Sequence, residues 1–157
     1  MKGVILERGF RFYTNMRTLL EPIKDDFQRY NWLVTDCECN RYPDPRIQHN
    51  AEYSWISGSD FLEIVNKHDI YFIWAVFSAI PKTLSIEDVL QFEFPYADGY
   101  PGFWQNPIGI QHPLAEMEIV PWDSSLVLLI SKDEATISHF QAQFPLCEDL
   151  EQYNCVP

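Results

Sequence analysis

The sequence predicts a single α+β domain, residues 1–157, with a mainly antiparallel mixed sheet and about three main helices packed on it. Three observations point there. Strand-like and helix-like apolar segments are mixed without strict βαβ alternation. The Trp122–Ser125 turn is too short to join parallel strands and implies a hairpin. No internal repeat, low-complexity tract or Gly/Ser linker divides the chain. Hydrophobic residues make up 46% of the sequence and aromatics 15%, a composition that can bury one substantial core.

Gly3–Glu7 reads as a short first strand. Met16, Leu19, Leu20, Ile23 and Phe27 then recur at helical spacing, with Thr14 or Asn15 as N-cap. Pro22 lies inside this pattern and lacks a backbone donor, so the helix kinks there or restarts with Pro22 in its first turn. Trp32–Cys39 and Glu52–Ile56 read as a hairpin-like strand pair across the Pro-rich loop 41–46. Ser57 to Asp60 supplies a turn and N-cap for a helix carrying Phe61, Leu62 and Val65 and ending near Lys67-His68. Ile70–Ile80, aromatic and β-branched without polar alternation, has the pattern of a central strand covered on both faces. Ser85–Leu90 suits one or two helical turns with Ile86, Val89 and Leu90 inward.

Phe94–Pro113 holds four Pro, three Gly and five aromatics and reads as one long loop. Ala115–Val120 alternates apolar residues with Glu116 and Glu118, as a half-exposed strand does. Leu126–Ile130 is a second fully apolar strand. Ser131-Lys132-Asp133-Glu134 matches a capping box opening a last helix, with Ile137, Phe140 and Phe144 inward and Pro145 ending it.

Leu20-Glu21-Pro22-Ile23, Asn31-Trp32, Ile56-Ser57-Gly58 and Ala79-Ile80-Pro81-Lys82 together resemble a family of small uncharacterised bacterial proteins classed as a domain of unknown function. The resemblance covers roughly the first half of the chain. It implies a fold and no activity, and it carries over no catalytic residue.

Charge narrows the function. Against 11 Lys and Arg stand 23 Asp and Glu, a formal net charge of −12. Such a surface repels nucleic-acid phosphates and anionic lipid headgroups and attracts a basic protein. The first eight residues contain only three consecutive strongly apolar side chains, and the longest apolar run reaches roughly half of the ~20 residues a membrane helix needs. A cytoplasmic chain with free thiols at Cys37, Cys39, Cys147 and Cys155 is the expectation.

Candidate chemistry is sparse. Cys37 and Cys39, two apart on a strand, share one face and would make half a zinc site completed by Cys147, Cys155 or a histidine; the spacing equally suits two ordinary thiols. Glu116, Glu118 and Asp123 with His112 would make a small hydrolase or metal-dependent enzyme; alternating Glu is also how a half-exposed strand meets water. Ser124 lacks a nucleophile elbow. His49, His68, His112 and His139 are scattered and read as surface residues. Gly99, Gly102 and Gly109 are interrupted by prolines and cradle no phosphate, so no cofactor or metal is expected.

The aromatic loop is the most informative feature. Tyr96, Asp98, Tyr100, Phe103 and Trp104 sit in a rigid Pro/Gly frame of the kind interfaces use as anchors, or else fold back as a lid over the core. The leading expectation is a non-enzymatic acidic interaction module, in its specific form an immunity- or antitoxin-like inhibitor of a basic partner. The alternatives are the small enzyme above and a homo-oligomeric structural protein paired through the same loop.

Overall fold

Alternate residues of the apolar strand Leu126–Ser131 go to opposite sides, Val127 and Leu129 into one core cluster and Leu128 and Ile130 into another. That two-sided burial sets the architecture, seen in a computed structural model describing residues 1–9 and 15–157. Among the described residues, seven strands form one antiparallel sheet. In chain order they are β1 (Lys2–Leu6), β2 (Tyr30–Cys39), β3 (Tyr53–Ser57), β4 (Phe72–Pro81), β5 (Met117–Trp122), β6 (Leu126–Ser131) and β7 (Glu148–Asp149), arranged β3-β2-β4-β5-β6-β1-β7. The α+β class and the antiparallel sheet are as the sequence predicts. The centre belongs to β5, with the aromatic strand β4 one place away.

The helices α1 (Met16–Leu20), α2 (Lys24–Gln28), α3 (Gly58–Lys67) and α5 (Glu134–Gln143) contribute to the larger cluster on the inner face. Asn15 caps α1, accepting a bond from the Thr18 amide, whereas Thr14 lies outside the described residues. The chain restarts at Pro22 through a 3-10 turn, Glu21–Ile23, before α2. Phe27 of α2 stacks on Trp32 at 4.0 Å between ring centroids, and the Trp32 indole donates to the Phe27 carbonyl at 2.9 Å. Ser57 caps α3. At Gly58 a Cβ would stand 2.2 Å from the Phe27 carbonyl oxygen, so only glycine lets α3 approach α2 this closely. The cap of α5 is Asp133, accepting from the Ala135 amide; Ser131 instead ends β6, and its hydroxyl accepts from Asp133.

The outer face of the sheet is not open to water. The segment from Leu84 to Ala115 and the C-terminal α6 (Leu150–Cys155) lie over it, closing two further clusters. Within this cover α4 (Ile86–Val89) has a complete Ser85/Asp88 capping box, and Pro101–Trp104 forms one 3-10 turn. Val89 is buried as the spacing predicts, but Leu90, the C-cap of α4, faces solvent.

The cover overturns two readings. Glu118 shares the outward face of β5 with Val120, as period-two alternation requires, yet is fully buried because the loop lies on top of it. His112, read as a surface residue, belongs to that loop and is buried as well.

Candidate functional site

The irregular end of β2 anchors the cover. Pairing of β2 with β4 loses register between Thr35 and Glu38, and Asp36 takes a left-handed backbone with φ of 49°. Its carboxylate accepts bonds from the amides of Ala97 (2.8 Å) and Asp98 (3.1 Å). Gly99, at φ 84°, then closes the turn in which the Tyr100 amide donates to the Ala97 carbonyl. Gln111 holds the same loop from its other end, donating to the Tyr96 carbonyl at 2.9 Å and accepting from the Tyr96 amide at 3.0 Å.

On this frame the five aromatic-loop residues separate by depth. Phe103 is fully buried and packs on Tyr100 and Trp122. Tyr100 and Trp104 are half-buried, with Trp104 meeting the Trp122 ring edge-on at 5.0 Å. Tyr96 is 46% exposed and Asp98 lies at the surface. Two further apolar side chains upstream of Tyr96 in the sequence are exposed: Leu90 at 40% and Phe92 at 38%. Phe92 rests edge-on against His112 at 5.4 Å, next to the Gln111 that ties down Tyr96.

The side chains of the four residues of the enzyme reading do not converge on one site. Glu118 Oε1 accepts from the His112 amide at 2.9 Å and from the Ser78 hydroxyl at 3.5 Å, while Oε2 has no partner. Burial pushes its carboxyl up to about 7, against the pull of those hydrogen bonds. The His112 ring engages other groups. Its Nδ1 accepts from the Leu114 amide, so Nε2 carries the proton donated to the Val89 carbonyl, and burial lowers its basicity. Asp123 occupies the exposed β5–β6 turn at φ 49°, followed by Ser124 at φ 57°. That pair of left-handed residues suits a two-strand turn. Glu116 reaches Lys132 at 3.8 Å. A buried acid, a neutral structural histidine, a turn residue and a surface ion pair do not form a constellation for acid–base work.

The thiols behave differently from the zinc reading. Cys37 and Cys39 do share a face, with sulfurs 3.5 Å apart. Cys147 precedes β7 and Cys155 ends α6, whereas β2 lies near the other edge of the sheet. Among the described residues no three His, Cys, Asp or Glu side chains converge on one metal position. His139 is exposed and pairs with Asp26 at 3.0 Å, joining α5 to α2.

No family model, curated protein or solved structure matches this chain. No described helix is long and apolar enough to cross a membrane.

Two parts of this region carry little sequence signal. The clamp by Asp36 depends on a bulge, which leaves no periodic trace. Leu90 and Phe92 are apolar residues whose exposure local spacing does not encode. One readable signal does exist: residues 83–131 contain no Lys or Arg at all.

Proposed function

We propose that the chain is a non-enzymatic, acidic interaction module that engages a basic protein through the exposed side chains of Leu90, Phe92, Tyr96 and Asp98. The observation that carries this reading is the union of exposed apolar anchors with an unbalanced acidic field. Leu90, Phe92 and Tyr96 stand at the surface within seven positions, flanked by exposed Glu87, Glu93 and Asp98, in a stretch with no basic side chain. Aromatic anchors held by a rigid frame lose little conformational freedom on binding, and a one-signed field accelerates encounter with an oppositely charged partner.

Tyr100, Phe103 and Trp104 serve this surface from beneath, as the packing that fixes Tyr96 and Asp98. In its specific form the partner is a basic toxin nuclease, blocked in the manner of an immunity protein. Size, acidity and the framed loop suit that role.

The test is capture of partners from native lysate at low and high salt, with wild type beside Phe92→Ala/Tyr96→Ala. One stoichiometric basic partner, weakened by salt and lost in the variant, is the expected result. Binding indifferent to both would overturn the reading. Self-association that depends on concentration and disappears in the variant would replace it with the homo-oligomeric one.

A further inference from the structure

We propose that Cys37 and Cys39 form a reversible thiol–disulfide site that reacts with neutral or cationic small disulfides. Its basis is the meeting of two sulfurs behind a cleft, independent of the interaction surface above. β3 pairs with β2 only as far as Thr35, so past that point one side of β2 faces an open cleft of about 400 Å³. Cys37, Asp36, Glu38, Tyr42, His49 and Asn50 are among its lining.

In a regular strand, residues two apart have Cα atoms about 6.6 Å apart, near the upper limit that a disulfide spans. The left-handed Asp36 and the two register shifts around Glu38 break that regularity, and the sulfurs come to 3.5 Å. A small side-chain rotation would bring them to bonding distance of about 2.05 Å.

The two thiols are unequal. Cys37 is half-exposed and lines the cleft, while Cys39 is buried behind it. The hydrogen bond with Cys37, and then burial, hold the Cys39 thiol protonated. The Cys39 backbone amide donates to the Tyr42 hydroxyl at 2.9 Å, and the Tyr42 ring in turn lies tilted against His49 at 5.1 Å. Cys37 is therefore the attacking group and Cys39 the resolving one.

In the first step the Cys37 thiolate attacks one sulfur of the small disulfide. A mixed disulfide forms, the original S–S bond breaks, and the first thiolate leaves and takes up the proton Cys37 lost. Cys39 then gives up its proton and attacks the Cys37 sulfur, and the second thiol departs with that proton. Two protein thiols are oxidised to one disulfide, and one small disulfide is reduced to two thiols. Asp36 and Glu38 line the cleft, and their negative charge, added to a net charge of −12, selects against anionic disulfides.

The test treats the intact protein with cystamine, a dicationic disulfide, or with glutathione disulfide, which is anionic, and maps the products by mass spectrometry of alkylated peptides. The exposed Cys155 serves as an internal control. Wild type should yield the Cys37–Cys39 disulfide with no lasting adduct on Cys37, while Cys155 retains a mixed disulfide. Cys39→Ser should trap the Cys37 adduct. At low salt, cystamine should react at Cys37 at least tenfold faster than glutathione disulfide, and salt should narrow that ratio. Unreacted Cys37 beside modified Cys155, or a stable Cys37 adduct in wild type, would overturn the site. Equal rates for the two reagents at low salt would overturn its charge preference. The wild-type readouts do not depend on the serine variant folding.

Discussion

Glu118 is a carboxyl that the fold holds away from water with one oxygen unpartnered, and this has a definite pH signature. Below its ordinary value of 4.5, folded and unfolded chains are both protonated at this group. Between 4.5 and about 7 the unfolded chain releases a proton that the folded chain keeps, so stability falls as pH rises; above that the loss is constant. A shift of this size corresponds to a loss on the order of 3 kcal/mol. Glu118→Gln keeps an acceptor for the His112 amide and removes the titration. Thermal unfolding at pH 5 and pH 8 should show a flatter dependence in the variant and greater stability than wild type at pH 8. A variant as pH-dependent as wild type would show that Glu118 does not set this slope. The burial itself was not readable from sequence, because period-two alternation assigns Glu118 to a face without saying what covers that face. The cover comes from the segment that leads into β5 and from α6, and no local spacing encodes how they fold back over the strand. Where burial and local spacing agree, as for Phe61, Leu62 and Val65 on α3, the sequence was sufficient.

At the scale of elements, the outer cover is tied by side chains rather than by strand pairing. Asp36 of β2 receives two of its amides, and Gln111 closes the loop on itself with two bonds to Tyr96. Asp36→Gly would relieve the left-handed backbone while leaving the amides of Ala97 and Asp98 without an acceptor. The expected result is a net loss of about 1–2 kcal/mol and faster hydrogen exchange across residues 97–104, with β6 amides little changed. Uniform acceleration throughout the sheet would mean that the cover opens only with global unfolding. Elements with strong local grammar were legible: the Ser57 cap, the restart at Pro22, the hairpin of β5 and β6, and the helix that Pro145 follows. β7 and α6 were not, since a two-residue strand and a six-residue helix are too short for periodicity to register. The loop from Phe94 to Pro113 announced itself by composition, yet its underside at Ala97, Phe103 and His112 is core.

For the whole molecule, the net charge of −12 is a source of self-repulsion in the folded state. Raising monovalent salt from about 20 to 200 mM shortens the screening length several-fold, and the melting temperature should rise by about 2–4 °C, roughly 1 kcal/mol for a domain of this size. Scanning calorimetry across that range checks it; a falling melting temperature would mean that the favourable ion pairs outweigh the repulsion. Fold class was legible at this scale because antiparallel topology follows from short turns and mixed segments. The asymmetry between a helical layer on one face and an irregular cover on the other was not. That asymmetry has a consequence for descent. Ala97, Phe103 and His112 keep the cover seated, whereas Leu90, Phe92, Tyr96 and Asp98 lie on its outer side. A lineage can exchange the outer set while leaving the seated set untouched, so the proposed recognition surface is free to diverge between descendants that inherit one unchanged scaffold.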